Sequence, residues 1–176
     1  MADKINLFDL DREAMTAWFI DNGEKPFRAK QLLKWIYHER VTDFDAMTDL
    51  SKPLREKLKN IAELRFPTII ADKTASDGTR KWIFRYDCGN SIEAVFIPED
   101  DRGTLCISSQ AGCALACPFC STGHAGFNRN LTTGEIIVQV WLAKDILNCD
   151  RHGNNRVVTN VVLMGMGEPL VNFNNV

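Results

Sequence analysis

Three cysteines, Cys113, Cys117 and Cys120, crowd into the run Cys113-Ala-Leu-Ala-Cys117-Pro-Phe-Cys120. Thiolates spaced by three and then two residues can fold around one metal centre. Held around an iron–sulfur cubane, three thiolates leave one iron without a protein ligand. That open iron can take a small chelating molecule. A structural zinc site needs four closed ligands, and His124 is near enough in sequence to be the fourth. The spacing alone leaves both metals open. Phe119, one residue before the last cysteine, can pack beside a bound cofactor or simply anchor the loop.

A second segment could do chemistry with the first. In Gly165-Met166-Gly167-Glu168-Pro169, the glycines let a ligand's polar group approach the backbone. A carboxylate there can pair with a cation such as an amino group. A turn with a surface glutamate is the plainer reading. The remaining cysteines, Cys88, Cys106 and Cys149, have no metal-ligand spacing. Free cysteine often serves as a small buried apolar residue.

The elements that position these segments follow from periodicity. Residues from Leu105 to Ser108 read as a strand running into the cysteine loop. A helix follows, with Thr132 and Glu135 as a capping box. Its expected buried stripe is Ile136, Ile137, Val140, Ala143, Ile146 and Leu147. His152-Gly153-Asn154-Asn155 turns the chain, and Thr159 to Met164 reads as a buried parallel strand ending at the second segment. Strand, helix, strand is one βαβ unit, which places the two segments side by side at the carboxyl ends of neighbouring strands.

Upstream, the pattern changes twice. Met15, Trp18 and Phe19 follow Asp9-Leu10-Asp11 at helical spacing, and Asn22-Gly23 closes that helix. Pro26 opens a second helix with Leu32, Leu33, Trp35 and Ile36 on its core face. Asp43-Phe44-Asp45 connects it to a third, capped by Ser51, with Pro53 just inside and Leu54, Leu58 and Ile61 buried. From Pro67 the style is short strands, Thr68–Ile70, Lys81–Tyr86 and Ile92–Ile97, separated by Ser76-Asp77-Gly78 and Asp87-Cys88-Gly89-Asn90.

Composition is ordinary globular: 45% hydrophobic and 25% charged, with net charge −2. Nucleic-acid contact would therefore need a local patch rather than a polycation. The helical segment carries Lys25, Arg28, Lys30, Lys34, His38, Arg40, Lys52, Arg55, Lys57 and Lys59, interleaved with acids. A solvated mixed face is as good a reading as an RNA surface. The N-terminus lacks the basic-then-apolar pattern of a signal peptide, and no run is long enough to span a membrane. A cytoplasmic location is expected.

With these motifs in hand, the chain resembles the radical SAM superfamily: Cys-x3-Cys-x2-Cys with an aromatic before the last cysteine, and Gly-Glu-Pro after the second strand. The resemblance is closer to one family within it, the dual-specificity RNA methyltransferases that act on carbon 2 of adenine. It rests on Glu93 through Cys113, Phe119-Cys120-Ser-Thr-Gly, Gly126-Phe-Asn-Arg-Asn, Met164-Gly-Met-Gly-Glu-Pro-Leu and Arg28-Ala-Lys-Gln-Leu-Leu-Lys-Trp-Ile-Tyr. It covers nearly the whole chain.

The resemblance implies that Cys113, Cys117 and Cys120 hold a 4Fe-4S cluster and that S-adenosylmethionine chelates its open iron. Gly167 and Glu168 would contact the amino-acid moiety of that cofactor. Glu93 matches the proton acceptor, and Cys106 the cysteine of a transient disulfide. On residues alone, Glu93 is a solvated alternate position on a strand. The implied partners are 23S ribosomal RNA, transfer RNA and a reductant such as flavodoxin. Related enzymes acting at carbon 8, and a non-catalytic metal- or RNA-binding module, are the alternatives.

The expected fold class is α/β. It comprises a helical accessory domain (1–65), a small antiparallel meander (66–98) and the start of a radical SAM (β/α) barrel (99–176) truncated after its second strand. The family's methyl-carrying cysteine would lie beyond Val176, so the chain is expected to be incomplete and inactive alone. An unpaired parallel edge is expected with it, an aggregation hazard.

Overall fold

Asp11 opens the first helix by accepting a hydrogen bond from the Ala14 N–H at 2.7 Å. The structure is a computed structural model describing residues 4–115, 117–149 and 157–176. It divides into two units, Met1–Arg65 and Phe66–Val176.

In the first unit, helix α1 spans Arg12–Asp21 and α2 spans Phe27–Leu33, continuing as a π-helical turn over Lys34–His38. Helix α3 spans Lys52–Ile61. Short strands β1, Ile5–Asn6, and β2, Ala62–Glu63, pair in parallel and close the unit's two ends together. The core is built from Leu7, Met15, Phe19, Leu32, Ile36, Met47, Leu54 and Leu58. Leu33, Trp35 and Ile61 are only partly covered. Ser51 is the first residue before α3, as expected, but its hydroxyl makes no capping hydrogen bond. Several cations are answered by acids: Lys57 by Glu24 at 3.7 Å, and Lys59 by Asp45 and Glu56 at 2.7 and 2.9 Å.

The second unit is built on a five-stranded sheet. Strands β3 (Thr68–Thr74), β4 (Arg80–Arg85), β5 (Ser91–Pro98) and β6 (Gly103–Cys106) form an antiparallel meander. Along β5, Ile92, Ala94 and Phe96 face inward and the alternate residues do not, a two-residue period. After two further elements near the cysteines, β7 (Gln110–Gly112) and β8 (Phe127–Asn130), helix α5 spans Thr133–Ile146. Strand β9, Asn160–Val162, then pairs in parallel with β6, so the order is β3-β4-β5-β6-β9.

Three expectations need correction. The strand before the cysteines is Gly103–Cys106, not Leu105–Ser108, because the backbone of Ser108 pairs with the Gln139 side chain instead of a neighbouring strand. The last strand is three residues long and half-exposed, with Val161 47% exposed, because it is the sheet's edge. On α5 the buried set is Gly134, Ile136, Val138, Gln139, Trp141 and Ala143, while Ile137 faces outward. That helix is apolar nearly all round, so its spacing could not choose a face. Its capping box is present as expected. The turn at 152–155 lies outside the described residues. No helix among the described residues is long and apolar enough to cross a membrane.

Candidate cofactor site

The cysteine loop is framed by a ladder that the sequence did not signal. Strands β7 and β8 pair antiparallel on either side of it, with Gln110 opposite Asn130 and Ala111 opposite Arg129. Gly112 has φ 78°, and a side chain there would strike the Gly126 carbonyl, so two backbones touch at the loop's neck. The Cys113 N–H donates to that carbonyl at 3.1 Å.

Within the loop, the thiols of Cys113, Cys117 and Cys120 are unbridged and partly accessible. The Cys120 thiol is drawn below its usual range by the backbone N–H groups of Gly123 and Thr122, at the start of the short helix α4, Ser121–His124. Hydrogen bonds to the charged form favour the thiolate, the state that ligates metal. The His124 ring contacts the Pro118 carbonyl through Nε2 at 2.8 Å, which ties the ring back into the loop. Phe119 is 89% exposed and anchors nothing, so one of its two readings falls away. The three thiols share one loop, yet no three His, Cys, Asp or Glu side chains among the described residues converge on a point that could hold a metal ion. The donor set still fits an iron–sulfur cluster in its chemistry: three unbridged thiols, one of them biased to thiolate.

The Gly165–Pro169 segment lies against the approach to the cysteine loop. The Met166 carbonyl accepts from the N–H groups of Ser109 and Gln110 at 2.8 and 3.1 Å. The Met166 N–H donates to the Ser108 hydroxyl at 2.9 Å, and that hydroxyl donates to the Glu93 carbonyl at 2.6 Å. Gly167 has φ 97° and sits flush on the Gln110 side chain, which leaves no room for a Cβ. The Glu168 carboxylate caps the turn after it, accepting from the Leu170 N–H at 3.1 Å.

Glu93 and Cys106 approach this region from the meander. Glu93, on β5, pairs its carboxylate with Lys81 at 2.7 Å and remains partly open to solvent. Cys106 ends β6, between Val95 of β5 and Val162 of β9. Burial raises its thiol above the ordinary range, against a smaller opposing contribution from the Met164 N–H. The thiol thus sits between two paired strands, where its surroundings disfavour the thiolate. Cys149 is buried. Cys88 is exposed and accepts from the Arg129 guanidinium at 3.0 Å.

Sequence reasoning passed over Ser108, Gln110 and Gln139. Each is a fully buried polar residue in or behind the site. Ser108 and Gln110 stand close to Cys106 and Cys113 in sequence, and a run of polar residues between two apolar stretches was the available signal.

This arrangement has counterparts of known class. A crystal structure of a radical SAM methyltransferase from Sphaerobacter thermophilus superposes with a TM-score of 0.85 at 38% identity, covering 97% of this chain and 49% of that one. Residues 5–64 match the family model of the ribosomal RNA large subunit methyltransferase N-terminal domain. The dual-specificity RNA methyltransferase RlmN of Dichelobacter nodosus is 72% identical over all 176 residues, and that of Marinobacter nauticus 55% over 175. Along its whole length the chain is thus similar to one half of RlmN-named RNA methyltransferases and of a radical SAM methyltransferase of known structure. It spans about half the length of the curated relatives it matches, 48% and 47%.

Proposed function

We propose that this chain supplies the cluster- and cofactor-binding part of a methyltransferase acting on carbon 2 of adenine in 23S ribosomal RNA and transfer RNA. The observation that carries the reading is the stitching of the Gly167–Glu168 segment to the strand that delivers Cys113. A small molecule bound to iron in the one loop would meet backbone and carboxylate in the other.

Cys113, Cys117 and Cys120 would hold a 4Fe-4S cluster, and Gly167 and Glu168 the amino-acid end of S-adenosylmethionine. Together these groups supply one-electron chemistry, which suits a ring carbon with no acidic hydrogen. The chain's own residues do the rest. Gly167 lets the backbone approach the cofactor, and Glu168 offers a carboxylate to its amino group. Glu93 accepts the ring proton, with Lys81 holding its carboxylate. Cys106 is the cysteine we assign to a transient disulfide with a cysteine outside these 176 residues, the S–S bond forming as the sulfur–carbon bond to the transferred carbon breaks and the Cys106 thiol gives up its proton. Residues 1–65 serve as the RNA-contacting accessory domain, 66–98 as the linking meander and 99–176 as the N-terminal part of the radical SAM core. A flavodoxin-type reductant and a cytoplasmic setting go with this chemistry.

Anaerobic reconstitution with iron and sulfide tests the proposal, followed by charge-transfer absorbance and EPR after reduction. A reduced-cluster signal that changes on adding S-adenosylmethionine is the expected result. Retention of zinc with no uptake of iron would overturn it.

A further inference from the structure

Gln110 is fully buried at the start of β7, three residues before Cys113. An uncharged amide in such a place must spend its hydrogen bonds on specific partners. Its Oε1 accepts from two backbone N–H groups, Glu168 at 3.0 Å and Ala114 at 3.3 Å. Its Nε2 donates to the Asn130 side chain at 2.8 Å. Its own backbone N–H donates to the Met166 carbonyl. Glu168 follows β9, Ala114 lies inside the cysteine loop, and Asn130 ends β8. One side chain therefore touches the glycine segment, the cysteine loop and the ladder that frames it.

We infer that Gln110 is a positioning residue that fixes the distance between the cysteine loop and the Gly167–Glu168 segment. The inference rests on the reading given under Proposed function, in which one small molecule spans both. An amide oxygen has two lone pairs, and here each is committed to a different loop. Neither loop can move without breaking its bond to the shared oxygen or dragging the other. Asn130 sets which end of the amide is oxygen. Without an acceptor for Nε2, the amide could turn over and present N–H groups to N–H groups. Gly167 completes the device, because its missing side chain lets the segment rest on the Gln110 side chain itself.

Residues that hold ligating groups in place typically alter affinity by 10- to 100-fold. Gln110→Met keeps the length of the side chain and removes the shared acceptor oxygen together with the Nε2 donor. Two measurements read the outcome in the whole chain. The first is amide hydrogen exchange without cofactor. In Gln110→Met, residues 113–115 and 166–168 should lose protection together while β4 and β5 keep theirs. Loosening of only one segment, or of neither, overturns the inference. The second is the dissociation constant for S-adenosylmethionine at matched iron content. It should rise about tenfold in Gln110→Met. An unchanged constant with the cluster intact also overturns the inference, since a merely structural role would lower Tm and iron uptake without moving that constant. If Gln110→Met does not fold, Asn130→Ala at the exposed edge makes the same two measurements with a smaller shift of the same pattern. A wild-type chain that takes up no iron would sink the functional reading, and the exchange measurement would still decide the coupling.

Discussion

The side-chain amide of Gln139 closes both backbone groups of Ser108, accepting from its N–H and donating to its carbonyl, each at 2.9 Å. A helix side chain thus takes the place of a neighbouring strand at the point where β6 ends. Gln139→Leu leaves a buried donor and a buried acceptor unsatisfied. Each costs about 1–3 kcal/mol, so a loss of roughly 2–6 kcal/mol is expected. Urea denaturation measures it directly, and a loss below about 1 kcal/mol would show that water replaces the amide.

For the ligand set, Cys117→Ala should abolish iron and sulfide incorporation, because two thiolates cannot hold a cubane with an open iron. Cys88→Ala should leave incorporation unchanged. Its thiol lies with Arg129 and Asn90, in a different hydrogen-bonded group. Iron and sulfide analysis after anaerobic reconstitution separates the two outcomes.

The pair formed by Glu93 and Lys81 is half-exposed, so it contributes little to stability. Lys81→Met should change the unfolding free energy by less than about 1 kcal/mol. Carried in a full-length protein of this family, Glu93→Gln should lower methyl transfer by about 10²–10⁴-fold, the usual worth of a positioned acid or base. S-adenosylmethionine affinity should stay the same. A parallel fall in both quantities would place Glu93 in binding rather than proton transfer.

Tyr37 supplies a pH dependence in the first unit. Burial first, and the nearby Asp9 carboxylate second, push its phenol up to about 12 from 10.0. The folded state therefore holds its proton where the unfolded state has released it. The associated stability is complete below pH 10 and is lost as pH rises towards 12, on the order of 3 kcal/mol at most. Tyr37→Phe should flatten that alkaline decline. Thermal unfolding of both proteins across the window checks the sign, and an equal decline in the two would refute it.

Much of this was legible in the residues. The Thr132–Glu135 box announced α5 correctly because a capping box is a local device with one geometry. The meander was legible for a similar reason: each hairpin carries its own turn residues. The face of α5 was not legible, since an apolar helix buries whichever side tertiary packing selects. Nor was the β7–β8 ladder, whose strands are three and four residues long and rich in polar and glycine positions. Within the site, the glycine segment could be placed beside the cysteine loop from strand order alone. The parts played by Ser108, Gln110 and Gln139 could not. The bonds that tie them to other elements of the site span as many as 31 and 58 residues of chain, and no local pattern encodes those.

The bond between Gln110 and Glu168 crosses 58 residues of sequence. A ribosome adding about 5–20 residues per second needs roughly 3–12 s to make that stretch. During that interval the meander can already zip, since its hairpins form in microseconds. The cysteine loop would meanwhile be in the cell without the segment that steadies it, and with its low-lying Cys120 thiol open to oxidants. Assembly of the proposed metal centre and protein synthesis are thereby set on one clock. Oxidative stress during translation should do more harm to this protein than the same stress applied after release.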